Sequence, residues 1–170
     1  MSTFETIVTI FLLVLLLVVV WALTEISSLK KSVDEKEVPD NGDIRKLRLQ
    51  AYERITLLAE RMSFQRLLST IPSNGLTARN MQATLIEAIR QEYDYNISQQ
   101  IYVSTEVWKA VNNLKEQNIY IINQLAATLP PQATGMDLNK QLIDFLINNP
   151  KANLHEIVLE AINFEAKKLM

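Results

Sequence analysis

The sequence contains no cysteine, only three glycines and a single histidine, His155. Without cysteine the chain cannot form disulfides, thiolate nucleophiles or thiolate metal sites. So few glycines exclude the glycine-rich loops that cradle phosphates, and much of the turn chemistry of an all-β fold. A di-iron bundle needs Glu-x-x-His on two helices, and the residue three before His155 is alanine. We therefore expect no metal site, no cofactor and no catalytic residue, and predict that the protein is not an enzyme.

The sequence has no large excess of charge of either sign. Seventeen Lys and Arg residues oppose 19 Asp and Glu residues, which gives a net charge of −2. Affinity for nucleic acid comes largely from neutralising phosphates with a surplus of cations. The near balance therefore predicts that nucleic acid is not a partner.

Charged residues are absent from residues 6–24, and residues 7–20 are almost entirely Ile, Leu, Val and Phe. A helix needs about 20 apolar residues to cross the ~30 Å hydrocarbon core of a bilayer. No Lys or Arg precedes this run and no Ala-x-Ala follows it, unlike a cleaved secretory signal. We therefore predict that residues 1–28 are a retained transmembrane anchor, with membrane lipid as its partner.

Positive residues follow the apolar run but do not precede it. Lys30, Lys31 and Lys36 come first, and Arg45 and Lys46 come soon after. Lys and Arg next to a span stay on the cytoplasmic side of the membrane. The asymmetry predicts a single-pass protein of the inner (cytoplasmic) membrane, with its C-terminal domain in the cytoplasm.

Turn-forming residues at positions 38–43, Val-Pro-Asp-Asn-Gly-Asp, separate the anchor from the rest of the chain. We assign residues 29–43 to a stalk and hinge linker, and residues 44–170 to one helical domain. Beyond Ile44, apolar residues recur at spacings of three and four, which is typical of amphipathic helices. The predicted fold is all-α, a single N-terminal transmembrane helix followed by a small bundle of about five helices. No internal repeat is evident.

The five predicted domain helices run from Ile44 to about residue 70, from Thr77 to about 101, from Ser104 or Thr105 to Pro130, from near Asp137 to Asn149, and from Asn153 to the C-terminus. Asp43, Thr77 and Asp137 are the expected N-caps of the first, second and fourth, and Asn153 with Glu156 resembles a capping pair. The predicted buried positions are Ile44, Leu47, Ala51, Ile55, Leu58 and Met62; Leu85, Ile86, Ile89, Tyr93 and Ile97; Val107, Val111, Leu114, Ile121 and Leu125; Leu138, Leu142, Phe145 and Leu146; and Leu154, Val158, Ala161, Ile162 and Leu169. Asn118 falls on the third stripe, either as a buried hydrogen bond that fixes helix register or at the edge of the stripe. His155 is expected to be a solvated first-turn residue.

Side-chain amides and hydroxyls are unusually dense between residues 96 and 104. We name Asn96, Gln99, Gln100 and Tyr102 as candidate partner-binding residues, with Trp108 as a candidate anchor. The alternative is structural, because a helix that ends inside a bundle must satisfy its last carbonyls and a lone Trp often packs in a core. Both interpretations stay open from the sequence.

Residues 49–54, Leu-Gln-Ala-Tyr-Glu-Arg, and residues 91–104, Gln-Glu-Tyr-Asp-Tyr-Asn-Ile-Ser-Gln-Gln-Ile-Tyr-Val-Ser, resemble signatures of an uncharacterised Bacteroidetes family. Its members are small membrane-anchored helical proteins with a domain of unknown function. The resemblance also covers the N-terminal span and Trp108, and it weakens beyond about Asn118. It implies the source and the architecture, but it implies no activity and no functional residues.

These observations together predict a membrane-tethered helical interaction module without catalysis. It would be a scaffold, an assembly factor or an accessory subunit of a membrane protein complex, with other protein subunits or a second copy as partners. The alternative is a membrane-anchored sensor that binds an apolar small molecule in the bundle. That alternative requires an enclosed cavity lined by Ile, Leu and Tyr.

Overall fold

The computed structural model describes residues 42–149 and 154–170. The predicted anchor, residues 1–28, and nearly all of the predicted linker lie outside these residues. The chain divides after Gly42 into two units, and the second, Asp43–Met170, holds the described fold. None of the described helices is both long enough and apolar enough to cross a membrane.

The described residues form six α-helices and one short 3-10 helix, without a β-strand, so the all-α prediction is confirmed for this part of the chain. The helices are α1 (Gly42–Met62), α2 (Phe64–Thr70), α3 (Ala78–Asn96), the 3-10 helix (Ile97–Ile101), α4 (Thr105–Thr128), α5 (Gly135–Asn148) and α6 (His155–Lys167). Helix α3 packs against α4 and α5, and α4 also packs against α5 and α6. The short connections give the neighbouring packing expected of a bundle.

The predicted first helix is divided into two helices, because the helical conformation stops at Met62 and starts again at Phe64, after Ser63. Ser63 has an extended backbone (φ −63°, ψ 142°), and its hydroxyl accepts a hydrogen bond from the Arg66 amide, as an N-cap does. The same hydroxyl donates to the Glu60 carbonyl at 2.7 Å. The apolar spacing continues through this point, so periodicity alone misses the break. Asp43 is not an N-cap either, since it lies in the first turn of a helix that already begins at Gly42.

Helices α3 and α5 begin in the same way, from two turns that pair with each other. Thr77 and Thr134 form an isolated antiparallel bridge, in which the Ala78 amide donates to the Ala133 carbonyl at 2.8 Å and the Gly135 amide donates to the Leu76 carbonyl at 2.7 Å. Each threonine caps its own helix, so the predicted cap at Thr77 is confirmed. The paired turns therefore hold the starts of α3 and α5 side by side.

The predicted cap of α5 at Asp137 is corrected to Thr134. The Thr134 hydroxyl accepts from the Asp137 amide, and the Asp137 carboxylate accepts from the Thr134 amide at 2.8 Å. This is a reciprocal capping box with the aspartate in the third helical position. The Ser104 alternative for α4 is confirmed, since its hydroxyl accepts from the Val107 amide. The predicted Asn153–Glu156 pair includes a residue outside the described ranges.

One hydrophobic core runs through the bundle, and most of the predicted stripes supply it. Its most buried large side chains are Tyr52, Ile55, Leu58, Met62, Met81, Leu85, Ile89, Leu114, Ile122, Leu138, Leu142 and Ile162. The predictions fail at helix ends. Ile44, Leu47 and Ile97 are 43–45% exposed, because the first two lie in the opening turns of α1 and the third lies past the end of α3.

Buried polar contacts attach α1 to the other helices. Asn118 on α4 is 3% exposed, and its side-chain amide donates to the Met62 carbonyl at 2.7 Å. The Ser104 amide donates to the buried Tyr52 hydroxyl at 3.2 Å. Asn118 is therefore buried and hydrogen-bonded rather than at the edge of its stripe, and its bond joins the C-terminal end of α1 to α4.

His155 is not the solvated residue that the sequence predicts. Its side chain is 15% exposed and lies 3.2 Å from the Glu60 carboxylate, so it joins the start of α6 to α1. Near the other end of α6, the Arg45 guanidinium donates to the backbone carbonyls of Leu169 and Met170. Polar contacts thus hold α6 to α1 at both ends.

Candidate functional site

A long surface groove follows the outer face of α1 and turns along α2 and the end of α3. We call it the arginine groove, and define it by Gln50, Arg54, Leu57, Arg61, Arg66 and Tyr95. It consists of two neighbouring depressions of about 540 and 580 Å³, and Arg61 and Tyr95 line both of them. Both are open to solvent.

The groove exists because α1 has two different faces. Ile55, Leu58 and Met62 turn into the core. Gln50, Arg54, Leu57 and Arg61 are spaced by four, three and four residues, so they lie on one other face of the same helix. The break at Ser63 then changes the direction of the chain, and α2 places Arg66 in the second depression.

Three arginines give the groove its positive character. One guanidinium nitrogen of Arg61 lies 3.3 Å from each oxygen of the Glu92 carboxylate. The Arg61 side chain is 53% exposed and the Glu92 side chain is 29% exposed. An ion pair with this exposure contributes about 0–1 kcal/mol, so it holds Arg61 only weakly. The side chains of Arg54 and Arg66 make no ion pair with any residue that the structure describes.

Two large side chains are exposed between these arginines without packing partners that would bury them. Leu57 is 50% exposed and Tyr95 is 74% exposed. Aromatic residues and arginine are enriched at protein–protein interfaces relative to the rest of a protein surface. An apolar contact flanked by the planar guanidinium groups of arginines is the kind of surface that such interfaces use.

The structure separates the candidate residues predicted from the sequence. Asn96 lines the arginine groove but is itself buried, and its side-chain amide donates to the Glu92 carbonyl at 2.9 Å. This is the carbonyl-satisfying role of the structural alternative. Gln99 donates to the Ser98 hydroxyl at 3.3 Å, while Gln100 is exposed and faces no described partner.

Tyr102 and Trp108 are half-buried and do not line the groove. The Trp108 ring packs against Tyr93 with 5.3 Å between centroids, and the Lys115 ammonium lies 4.1 Å from the Tyr93 ring centre. These contacts form a stacked cluster on the α3–α4 side of the bundle. Of the five predicted residues, the structure thus brings only Asn96 to the groove.

Sequence reasoning missed the arginines because it treated residues off the apolar stripe as a solvated face. A usable signal was present. Arg54 and Arg61 lie seven residues apart, which places them on the same side of one helix with Leu57 between them. Tyr95 lies two residues after Tyr93, so it falls outside the apolar stripe that forms the buried face of α3. The sequence pattern that indicates the groove is therefore an apolar residue on a helix face that also carries arginines.

Two features matter among the titratable groups in the described part of the chain, namely clusters that could bind a metal and perturbed pKa values. No three His, Asp or Glu side chains come together there in a way that could hold a metal ion. One carboxyl is clearly perturbed. The Thr134 backbone amide, and then the Thr134 hydroxyl, hold the pKa of Asp137 below its ordinary value of 3.8. This lowered pKa is a consequence of the capping box at the start of α5. The two depressions of the arginine groove are open to solvent, and both polar and apolar side chains line them.

The described residues form a small all-helical bundle with an open, arginine-lined groove along α1. The model of a family of unknown function, DUF7935, matches residues 2–169, so the chain belongs to that family. This confirms the resemblance in its coarse form, membership of an uncharacterised family. Searches of the curated proteins and of the solved structures gave no significant match.

Proposed function

We propose that this protein is a membrane-tethered interaction module that binds a partner protein and performs no catalysis. In that role it serves as a scaffold, an assembly factor or an accessory subunit of a membrane complex. The bundle presents the binding surface, and the uncharged residues 6–24 hold it at the membrane. The partner is another protein subunit or a second copy of the chain.

The arginine groove is the observation that carries this proposal. It combines two arginines that make no ion pair with any described residue with Leu57 and Tyr95, which are exposed to 50% and 74%, on a helix whose other face is buried in the core. Exposed apolar groups cost free energy in water, at about 25 cal/mol per Å² of surface that a partner could cover. Cations beside them favour a partner of complementary charge.

The tether is supported by the length of the uncharged run and by the cations that follow it. The proposal places the anchor in the inner membrane and the bundle in the cytoplasm. Carbonate extraction should leave the protein in the membrane fraction. A phosphatase fused after Met170 should be inactive, whereas a fluorescent protein at the same position should be bright. Release into the aqueous fraction without residues 1–28 would contradict the tether.

Site-specific photo-crosslinking in the native membrane tests the interaction. A photoreactive phenylalanine at position 95 should give a discrete adduct, because Tyr95 lies in the groove. The matched control is position 120, since Tyr120 is a tyrosine of similar exposure (62%) that does not line the groove. Adduct of one defined mass from position 95 but not from position 120 supports the proposal, whether the mass is that of another protein or of a second copy. Equal labelling at both positions, or none at position 95, contradicts it.

A further inference from the structure

We propose that the arginine groove recognises an acidic, extended segment of the partner, with two carboxylates about three residues apart and an apolar side chain between them. This inference rests on the proposed function and names the chemistry of the same surface. Charge, spacing and shape of the groove each point to this occupant.

Charge is the first argument. Arg54 and Arg66 have no ion pair with any described residue, so their guanidinium groups are available to a ligand. Arg61 is held only by the solvent-accessible Glu92, 3.3 Å away, and an incoming carboxylate can replace or share that contact. The planar fork of arginine matches a carboxylate with two parallel hydrogen bonds, which a lysine would not provide.

Spacing is the second argument. Arg54 and Arg61 are seven residues apart on α1. At about 1.5 Å per residue their backbone positions are about 10.5 Å apart along the helix. Three residues of a polyproline-II strand rise about 9.3 Å and return to the same face. A carboxylate at each end of such a stretch can therefore contact both arginines at once, while a leucine-sized side chain between them turns toward one side of the groove and can cover part of the exposed Leu57 or Tyr95.

The acidic side chains of the groove decide between an acidic peptide and a more highly charged ligand. Glu53 lines the first depression and has no ion pair among the described residues, while Glu92 lines the second. Two carboxylates among three arginines disfavour a polyphosphate or a dense anionic lipid surface. They leave room for isolated carboxylates that are separated by neutral residues. Glu53 also provides an internal test, because removing its charge should strengthen binding of an acidic ligand.

The test uses the full-length protein in a mild non-ionic detergent and two fluorescein-labelled peptides. The probe carries glutamate at two positions three apart, with leucine between them and Pro, Ser and Gly as flanking residues. The second peptide replaces both glutamates by glutamine. Fluorescence anisotropy should show binding of the first peptide, at least tenfold weaker binding of the second, and a further loss between 50 and 300 mM salt. Screening of exposed charges by salt is the reason for that loss.

Variants locate the site. Arg54→Gln and Arg61→Gln should each weaken binding of the glutamate peptide about fivefold or more, because each arginine contacts one of its two carboxylates, and Glu53→Gln should strengthen binding. Arg79→Gln is the matched control, because Arg79 is exposed at the start of α3 and lines a different depression. Thermal unfolding of each variant should match the wild type, which separates lost binding from lost folding.

Three results would overturn the inference. These are equal affinity for the two peptides, equal loss in Arg79→Gln, or binding to phosphatidylserine vesicles through the same arginines with no binding of the acidic peptide. None of them changes the crosslinking at position 95. If that crosslink persists while the peptide fails to bind, the groove has a partner of different chemistry. If both fail, the proposed function fails with it.

Discussion

At the scale of single residues, Asn118 shows how one buried polar side chain can specify an arrangement of helices. Its amide donates to the Met62 carbonyl, which belongs to the last turn of α1 and has no partner further along that helix because the chain breaks at Ser63. A buried hydrogen bond contributes modestly while it is made, and leaving its partner unpaired costs more. An apolar side chain at this position could pack in the core, but it would not favour one register of α4 against α1 over another.

We expect Asn118→Ala to lower the free energy of unfolding by about 1–3 kcal/mol, because it leaves the Met62 carbonyl buried without a donor. Urea unfolding followed through Trp108 fluorescence, in a Trp21→Phe background, measures the change. Asn113→Ala on the exposed side of the same helix is the control, and should stay within about 0.5 kcal/mol of the parent. Equal effects of the two substitutions would refute the role of the buried bond.

The Asp137 carboxylate gives a second residue-scale prediction, in its dependence on pH. Its pKa is lowered by the Thr134 amide and hydroxyl, so the folded state favours the ionised form. The stabilisation is therefore fully present above the ordinary value of 3.8 and is lost as pH falls through the lower folded pKa. We expect Asp137→Asn to be less stable than the wild type at pH 7, and the difference to shrink at pH 3 and below.

The same prediction can be tested in the opposite direction at the start of α3, by adding a carboxylate instead of removing one. Asn80 occupies the position after Thr77 that Asp137 occupies after Thr134. Asn80→Asp should create a second capping box and raise the unfolding midpoint at pH 7 but not at pH 3. A stability difference that is the same at every pH would show that ionisation plays no part in either cap.

At the scale of secondary-structure elements, the paired turns before α3 and α5 bring two backbones unusually close. A Cβ atom added to Gly135 would lie 2.9 Å from the Ser73 carbonyl oxygen and 3.2 Å from the Met81 Cβ atom. The backbone oxygen cannot rotate away, so α5 could not start there with a larger residue. Gly75 has a different reason for being glycine, since its φ of 75° is a left-handed conformation.

We expect Gly135→Ala to destabilise the fold by about 1–3 kcal/mol through overpacking at this contact. Gly42→Ala is the matched control, because a Cβ atom there meets nothing within 4 Å at the start of α1. That change should be neutral, or stabilising by up to about 1 kcal/mol. Urea midpoints of the two variants decide the matter, and a Gly135→Ala protein as stable as Gly42→Ala would show that the turns can separate without cost.

At the scale of the whole molecule, sequence periodicity predicts the helical class and most of the core, since buried stripes at Ile55, Leu85 and Leu114 follow directly from spacings of three and four. It fails where local chemistry overrides spacing. Ser63 ends α1 by capping the next helix, although Met62, Phe64 and Leu67 continue the apolar pattern. Thr134 replaces Asp137 as a cap because either side chain is a good capping residue and only geometry distinguishes them.

The candidate site was less predictable than the fold because it depends on which face of α1 remains uncovered. Polar density drew attention to Asn96, but that side chain turns inward to the Glu92 carbonyl. The arginine groove needs the end of α3 beside α1, and no spacing within a single helix contains that information. Contacts between helices, such as Arg61 with Glu92, are set by the packing of the whole bundle.

The contact of Arg45 with the carbonyls of Leu169 and Met170 means that the first turn of α1 and the last residues after α6 are neighbours. In a protein that consists of residues 43–170 alone, a connector of glycine and serine residues would bridge them and close the unit into a ring. Closing a loop restricts the unfolded chain more than the folded one. The bundle is therefore a natural host for circular permutation, in which new chain ends open at an exposed turn while the order of packing is kept.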